Sequence, residues 1–113
     1  MTDHIQIRPA EGLWVVRAGG AVLGESRDAL EFHEGDRPAV IYFPRSDIGM
    51  AFLDESETRT RSPDMGEATY YSIQTKSTVI KDAGWSYEDP VAGAEQIRGY
   101  LAFHPEKVTV EQL

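Results

Sequence analysis

Ser62-Pro63-Asp64-Met65-Gly66-Glu67-Ala68, Thr69-Tyr70-Tyr71-Ser72-Ile73 and Asp82-Ala83-Gly84-Trp85-Ser86-Tyr87-Glu88-Asp89-Pro90 decide the fold between them. The first is a tight polar turn, in which Gly66 permits close backbone approach. The second is an aromatic, β-branched strand that alternates in polarity. The third reads as a turn beginning near Asp82 that runs into an extended aromatic pair. Turn, strand and turn within one short span point to antiparallel β structure.

The rest of the chain follows that pattern. Leu13–Arg17 and Ala21–Glu25 are apolar runs separated by Gly19-Gly20, a hairpin signal because a primed turn needs positive φ at its centre. Ile5-Gln6-Ile7, Ala29–Phe32 and Ala39–Phe43 read as further strands, the last bounded by Pro38 and Pro44. Arg45–Ile48 reads as one helical turn or a tight loop, and Ala51–Leu53 as a short strand. Asp54–Arg61 is polar enough to read as a loop carrying a frayed edge strand. Thr69–Thr75 and Ser77–Lys81 pair across a turn at Lys76. Pro90–Ile97 is expected to form the one short helix, near residues 90–98, with Asp89 as its cap and Gly99 as its stop. Tyr100–Phe103 and Val108–Val110 are expected to pair with each other. The fold class is therefore mainly β, an antiparallel sandwich or open barrel in a single domain over residues 1–113.

Composition narrows the function classes. Nineteen acidic against eleven basic residues give a net charge of −8, which repels phosphate backbones and anionic lipid surfaces, so neither nucleic acid nor membrane is an expected partner. The chain holds no cysteine, hence no disulfide, thiolate zinc site or thiol nucleophile. No apolar stretch approaches the roughly 20 residues of a membrane span. Met1-Thr2-Asp3-His4 lacks the features of a secretory signal. A cytoplasmic location is expected.

Several of these segments, taken in order, carry a resemblance. Arg17 with Gly19-Gly20, Tyr42-Phe43-Pro44-Arg45-Ser46-Asp47-Ile48, the Ser62-Pro63 to Ala68 turn, Asp82–Tyr87 with Pro90, and Gly99–Phe103 together resemble domain-of-unknown-function family 427. The resemblance runs from about Leu13 to Glu111. It implies a β-tent-like fold, with two antiparallel sheets meeting at an angle over a cleft. Relatives of that fold often hold a structural zinc on two cysteine pairs, which this chain cannot do. The family turn usually reads Cys-Pro-x-Lys-Gly, and here Ser62 and Met65 stand at its thiol and amine positions.

Candidate site residues lie on the quoted span. Trp85 and Tyr87 alternate along an extended segment and so share a face. With Tyr71 they form a candidate aromatic wall, or else they plug the core. Arg59, Arg61, Ser62 and the backbone at Gly66 suit a carboxylate or phosphate, unless the span is simply a serine-type turn beside solvated arginines. Ser62 lacks a nucleophile-elbow pattern, and His104 is a partner that nothing in the sequence places beside it. His4, His33 and His104 share no ligand spacing, so neither metal nor cofactor is expected. No Gly-Ser turn with an Asp-x-Asp pair offers catalytic magnesium. Asp82 is expected to fix the shape of the turn before Trp85. The residues suit binding of a small polar or aromatic ligand in the cleft. The alternatives are a non-catalytic interaction module or homodimer, and an enzyme whose family chemistry is weakened by Ser62 and Met65.

Overall fold

The computed structural model describes residues 4–113; Met1–Asp3, part of the start read for a signal, lie outside the described residues. Ten strands follow in order: β1 (Ile5–Pro9), β2 (Trp14–Ala18), β3 (Ala21–Ser26), β4 (Leu30–Glu34), β5 (Val40–Tyr42), β6 (Leu53–Ser62), β7 (Gly66–Gln74), β8 (Val79–Tyr87), β9 (Ala102–Phe103) and β10 (Thr109–Gln112). Every pairing is antiparallel. The hydrogen-bonded groups number three: β1-β4-β5, β10-β2-β3 and β6-β7-β8-β9. Phe43 and Leu101 form an antiparallel bridge with reciprocal backbone bonds of 2.7 and 2.9 Å. That bridge joins the end of β5 to the start of β9. Two of the three groups thus become one continuous run of strands, and β10-β2-β3 stands as the other layer.

The mainly-β reading holds, and local chemistry accounts for its turns. Gly19 and Gly20 have φ of 55° and 83°, which places both central residues of the β2–β3 hairpin in the region that glycine enters without a steric cost. The turn between β6 and β7 closes with Met65 N–H donating to the Ser62 carbonyl at 3.2 Å.

The helix expected near residues 90–98 does not form. Only Glu95–Ile97 makes a 3₁₀ turn. Gly93 lies at φ 98°, outside any right-handed helix, and the Val91 amide bonds to the Met65 carbonyl instead of to its own segment. A stretch this short cannot recover the cost of helix nucleation without tertiary help, and here the tertiary contacts demand other geometry.

Four further expectations are corrected. Ala51–Leu53 is not a strand, because Met50–Phe52 forms a 3₁₀ turn that leads into β6. The edge strand expected within Asp54–Arg61 is present but is no frayed part of a loop: the whole span belongs to β6, held by its ladder to β7 while its side chains remain largely exposed. Asp82 stands not before a turn but inside β8, at φ 50°, where the register to β7 shifts. Finally, β9 and β10 do not pair with each other. One edge of β9 is taken by β8 and the residue before it by Phe43, so β10 adds to β2 instead, with Val110 opposite Val16.

Two apolar clusters form the interior. The larger brings Val16, Leu23 and Val108 against Phe43, Ile73, Leu101 and Phe103, filling the space between the two layers. The smaller gathers Phe32, Tyr42, Met65, Ala94, Ile97 and Ala102, with Trp85 and Tyr87 packed against it. This second cluster positions the candidate site.

Candidate functional site: an aromatic cavity between β4–β5 and β7–β8

The register of β7 and β8 builds one wall. Tyr70 is opposite Trp85 and Ala68 is opposite Tyr87, so these four side chains share a face. Tyr71 is opposite Gly84 and Thr69 is opposite Ser86, so Tyr71 points the other way. The rings of Phe32, Tyr42, Trp85, His104 and Tyr70 follow one another. Phe32 meets Tyr42 edge-on at 5.5 Å, and Tyr42 meets Trp85 at 6.4 Å with the planes at 90°. His104 lies tilted on Trp85 at 4.7 Å and near-parallel to Tyr70 at 6.4 Å.

Beside this wall lies a cavity of about 650 Å³. Tyr70, Trp85, Tyr87, Tyr42 and Met65 supply its apolar surface. Its polar groups come from Glu31, Glu34, Arg37, Ser62 and His104.

Hydrogen bonds fix several of these groups. The Trp85 indole N–H donates to the Tyr42 hydroxyl at 3.1 Å, and the Tyr70 hydroxyl shares a bond of 3.1 Å with Thr60. Tyr42 is only 2 % exposed, and burial pushes its hydroxyl far above the ordinary tyrosine range, so it remains protonated. Burial raises Tyr87 in the same direction. His104 is held below the ordinary imidazole range, first by desolvation and then by the nearby Lys107 charge, so its ring is neutral at pH 7. Glu31 is lowered chiefly by its hydrogen bond with His33 and is also bound by Arg8.

The expected site residues separate into two groups. Ser62, Trp85 and Tyr87 line the cavity. Arg59, Arg61 and Tyr71 fall on the opposite face, as the pairs Arg59–Thr69 and Arg61–Glu67 show. Arg59 is occupied by Glu55 at 2.7 Å and by the carbonyls of Ser56 and Thr58, while Arg61 reaches Glu67 only at 4.0 Å. The close approach that Gly66 permits is to the backbone at Asp89, 3.3 Å from where a Cβ would sit, and not to the cavity. The Ser62 hydroxyl accepts the Asp64 amide at 3.2 Å, forming a serine-type turn. The partners of Asp82 are side chains and not the local backbone expected: Thr58 donates to its carboxylate at 2.7 Å, and its amide donates to the Ser72 hydroxyl at 3.1 Å. The Ser56 and Thr58 hydroxyls hold its carboxyl below the usual range.

Sequence reasoning missed Tyr70, Tyr42 and His104 as members of the wall. Tyr70 could have been found from a correct register alone, since it is the neighbour of Tyr71 with the right parity. Tyr42 and His104 come from distant segments, and no spacing marks them. Met65 is 3 % exposed and packs in the smaller cluster. Arg45 belongs to the Tyr42–Ile48 stretch, and nothing in the sequence marks its role. It ties the 3₁₀ turn Arg45–Asp47 to the sheet, donating to the Gly99 carbonyl at 3.0 Å, to the Tyr71 hydroxyl and Ser86 at 3.2 Å each, and to Glu88.

An antiparallel β domain with an aromatic cavity on one face of its β7–β8 hairpin is the class that fold and site define. Residues 6–112 match the model of the family described as Domain of unknown function (DUF427), and the chain belongs to that family. No curated protein matches it. Among the described residues, no helix is long and apolar enough to cross a membrane.

Proposed function

We propose that the domain binds a small planar ligand in this cavity, stacked against Trp85 and Tyr70 and oriented by the polar groups at the rim. The observation that carries the reading is the continuous aromatic wall beside a volume of about 650 Å³, within the usual range for small-molecule sites. A flat ring against Trp85 gains apolar contact, while Ser62, Glu34 and Arg37 offer hydrogen bonds at the edge. His104 is part of the wall, and its neutral ring places no charge against the ligand.

A homodimer through the sheet edge is the weaker reading. The exposed edge strand β6 carries Asp54, Glu55, Glu57, Arg59 and Arg61 and is interrupted by a bulge, both features that oppose strand addition. For an enzyme, the Ser62 hydroxyl would need a base, and among the described residues its hydrogen bond is to the Asp64 amide. Alongside ligand binding we propose a cytoplasmic location, where a chain without cysteine forgoes no disulfide.

A thermal-shift panel of planar metabolites tests the proposal. Compounds that raise the melting temperature of the native protein should lose that effect with Trp85→Ala. Hits indifferent to that substitution, or a panel with no hits, would count against the cavity.

A further inference from the structure

We propose that His4, Glu34 and Asp64 form a binding site for one divalent metal ion at the edge of the aromatic cavity. The three residues lie on separate segments: His4 just before β1, Glu34 at the end of β4 and Asp64 in the β6–β7 turn. One ligand atom from each falls within 4.8 Å of the other two. His4 Nε2 stands 3.3 Å from Asp64 Oδ2 and 3.6 Å from Glu34 Oε2. Two donors holding one ion at about 2.0–2.2 Å in tetrahedral geometry stand about 3.3–3.6 Å apart, so the observed spacing suits a shared ion.

Each donor is anchored by structure outside the cluster. The His4 carbonyl accepts the Gly35 amide at 3.0 Å, which holds His4 beside the end of β4. Glu34 divides its oxygens: Oε1 faces Arg37 at 3.7 Å and Oε2 faces His4. Its side chain is 19 % exposed, so this carboxylate has given up much of its water. Arg37, with its side chain 79 % exposed, offsets at most one of the two carboxylate charges beside the imidazole, so the cluster stays negative and attracts a cation.

Position connects the cluster to the cavity. Glu34 lines it, as do Ser62 and Met65 on either side of Asp64. Three protein ligands leave coordination positions for water or for an anionic ligand group. One imidazole with two carboxylates is a donor set for a borderline ion such as Zn²⁺ in preference to Mg²⁺. This site is unrelated to a cysteine-held zinc, and it does not depend on the planar-ligand reading.

Calorimetric titration of the untagged, chelator-treated protein with Zn²⁺ tests it, with Co²⁺ absorption in the visible range as a second readout. The expected result is one saturable equivalent, with affinity reduced at least tenfold in both His4→Ala and Asp64→Asn and unchanged in Asp89→Asn. Both informative positions are substantially exposed, with side chains 42 % and 40 % accessible, so the variants should retain the fold. Circular dichroism checks this directly. Absence of a saturable equivalent, or equal affinity in His4→Ala, Asp64→Asn and the native protein, would overturn the site.

Discussion

Trp85 donates its indole N–H to the buried hydroxyl of Tyr42 at 3.1 Å, and their rings meet at right angles 6.4 Å apart. This contact joins β8 to β5 across the smaller core and fixes the orientation of the largest ring of the cavity wall. Trp85 is thereby positioned before any ligand arrives, which spares a ligand the cost of ordering it.

Tyr42→Phe should therefore destabilise the protein. The substitution keeps the ring but leaves the indole N–H without its acceptor, at a cost of about 1–3 kcal/mol. Urea unfolding followed by circular dichroism measures it. Stability equal to that of the native protein would show that the bond contributes nothing.

Gly84→Ala should also destabilise, for a steric reason. A Cβ at this position would lie 3.0 Å from the Ala102 carbonyl and 3.0 Å from the Phe103 ring. Strand β9 would have to move away from β8, at a cost of about 1–3 kcal/mol, typical of overpacking. Thermal unfolding of the variant gives the value, and an unchanged melting temperature would mean that β9 yields freely.

The pH dependence of stability should report His104. Its folded-state pKa is lowered by desolvation and Lys107, so the folded protein holds fewer protons on this ring than the unfolded chain does. Its stabilising contribution is fully present above the ordinary histidine pKa and is lost as pH falls below that value toward the folded one. His104→Phe keeps a ring against Trp85 and removes the titration. Between pH 7.5 and about 5.5, on either side of the ordinary value, the native protein should lose stability relative to this variant. Parallel stability curves would refute the assignment.

The β architecture was legible because strand chemistry is local. Gly19-Gly20 specified a hairpin, and the β-branched run at Ala39–Phe43 could scarcely be read otherwise. Strand β6 was obscured because an edge strand held by its backbone ladder needs no apolar face, so Asp54–Arg61 shows no hydrophobic alternation. The absent helix shows the reverse, where Asp89-Pro90 and Gly99 supply sound local signals that the contacts of Val91 and Gly93 override.

The site was legible only along a single strand. Trp85 and Tyr87 share a face by parity, which any extended segment guarantees. Choosing Tyr70 over Tyr71 requires the register between β7 and β8, and that register shifts between Tyr71 and Ile73. The same parity sends Arg59 and Arg61 to the face opposite Ser62. His104 and Tyr42 reach the wall through tertiary packing, for which the sequence carries no mark.

Fluorescence of Trp85 tests the central claim most directly. Trp14→Phe leaves Trp85 as the single tryptophan of the chain. Titrating this variant with a compound that raises its melting temperature should shift or quench the Trp85 emission saturably, and adding Tyr70→Ala should weaken binding at least tenfold. A compound that stabilises the protein while leaving the emission unchanged, and that binds equally well without Tyr70, would contradict a ligand site on this wall.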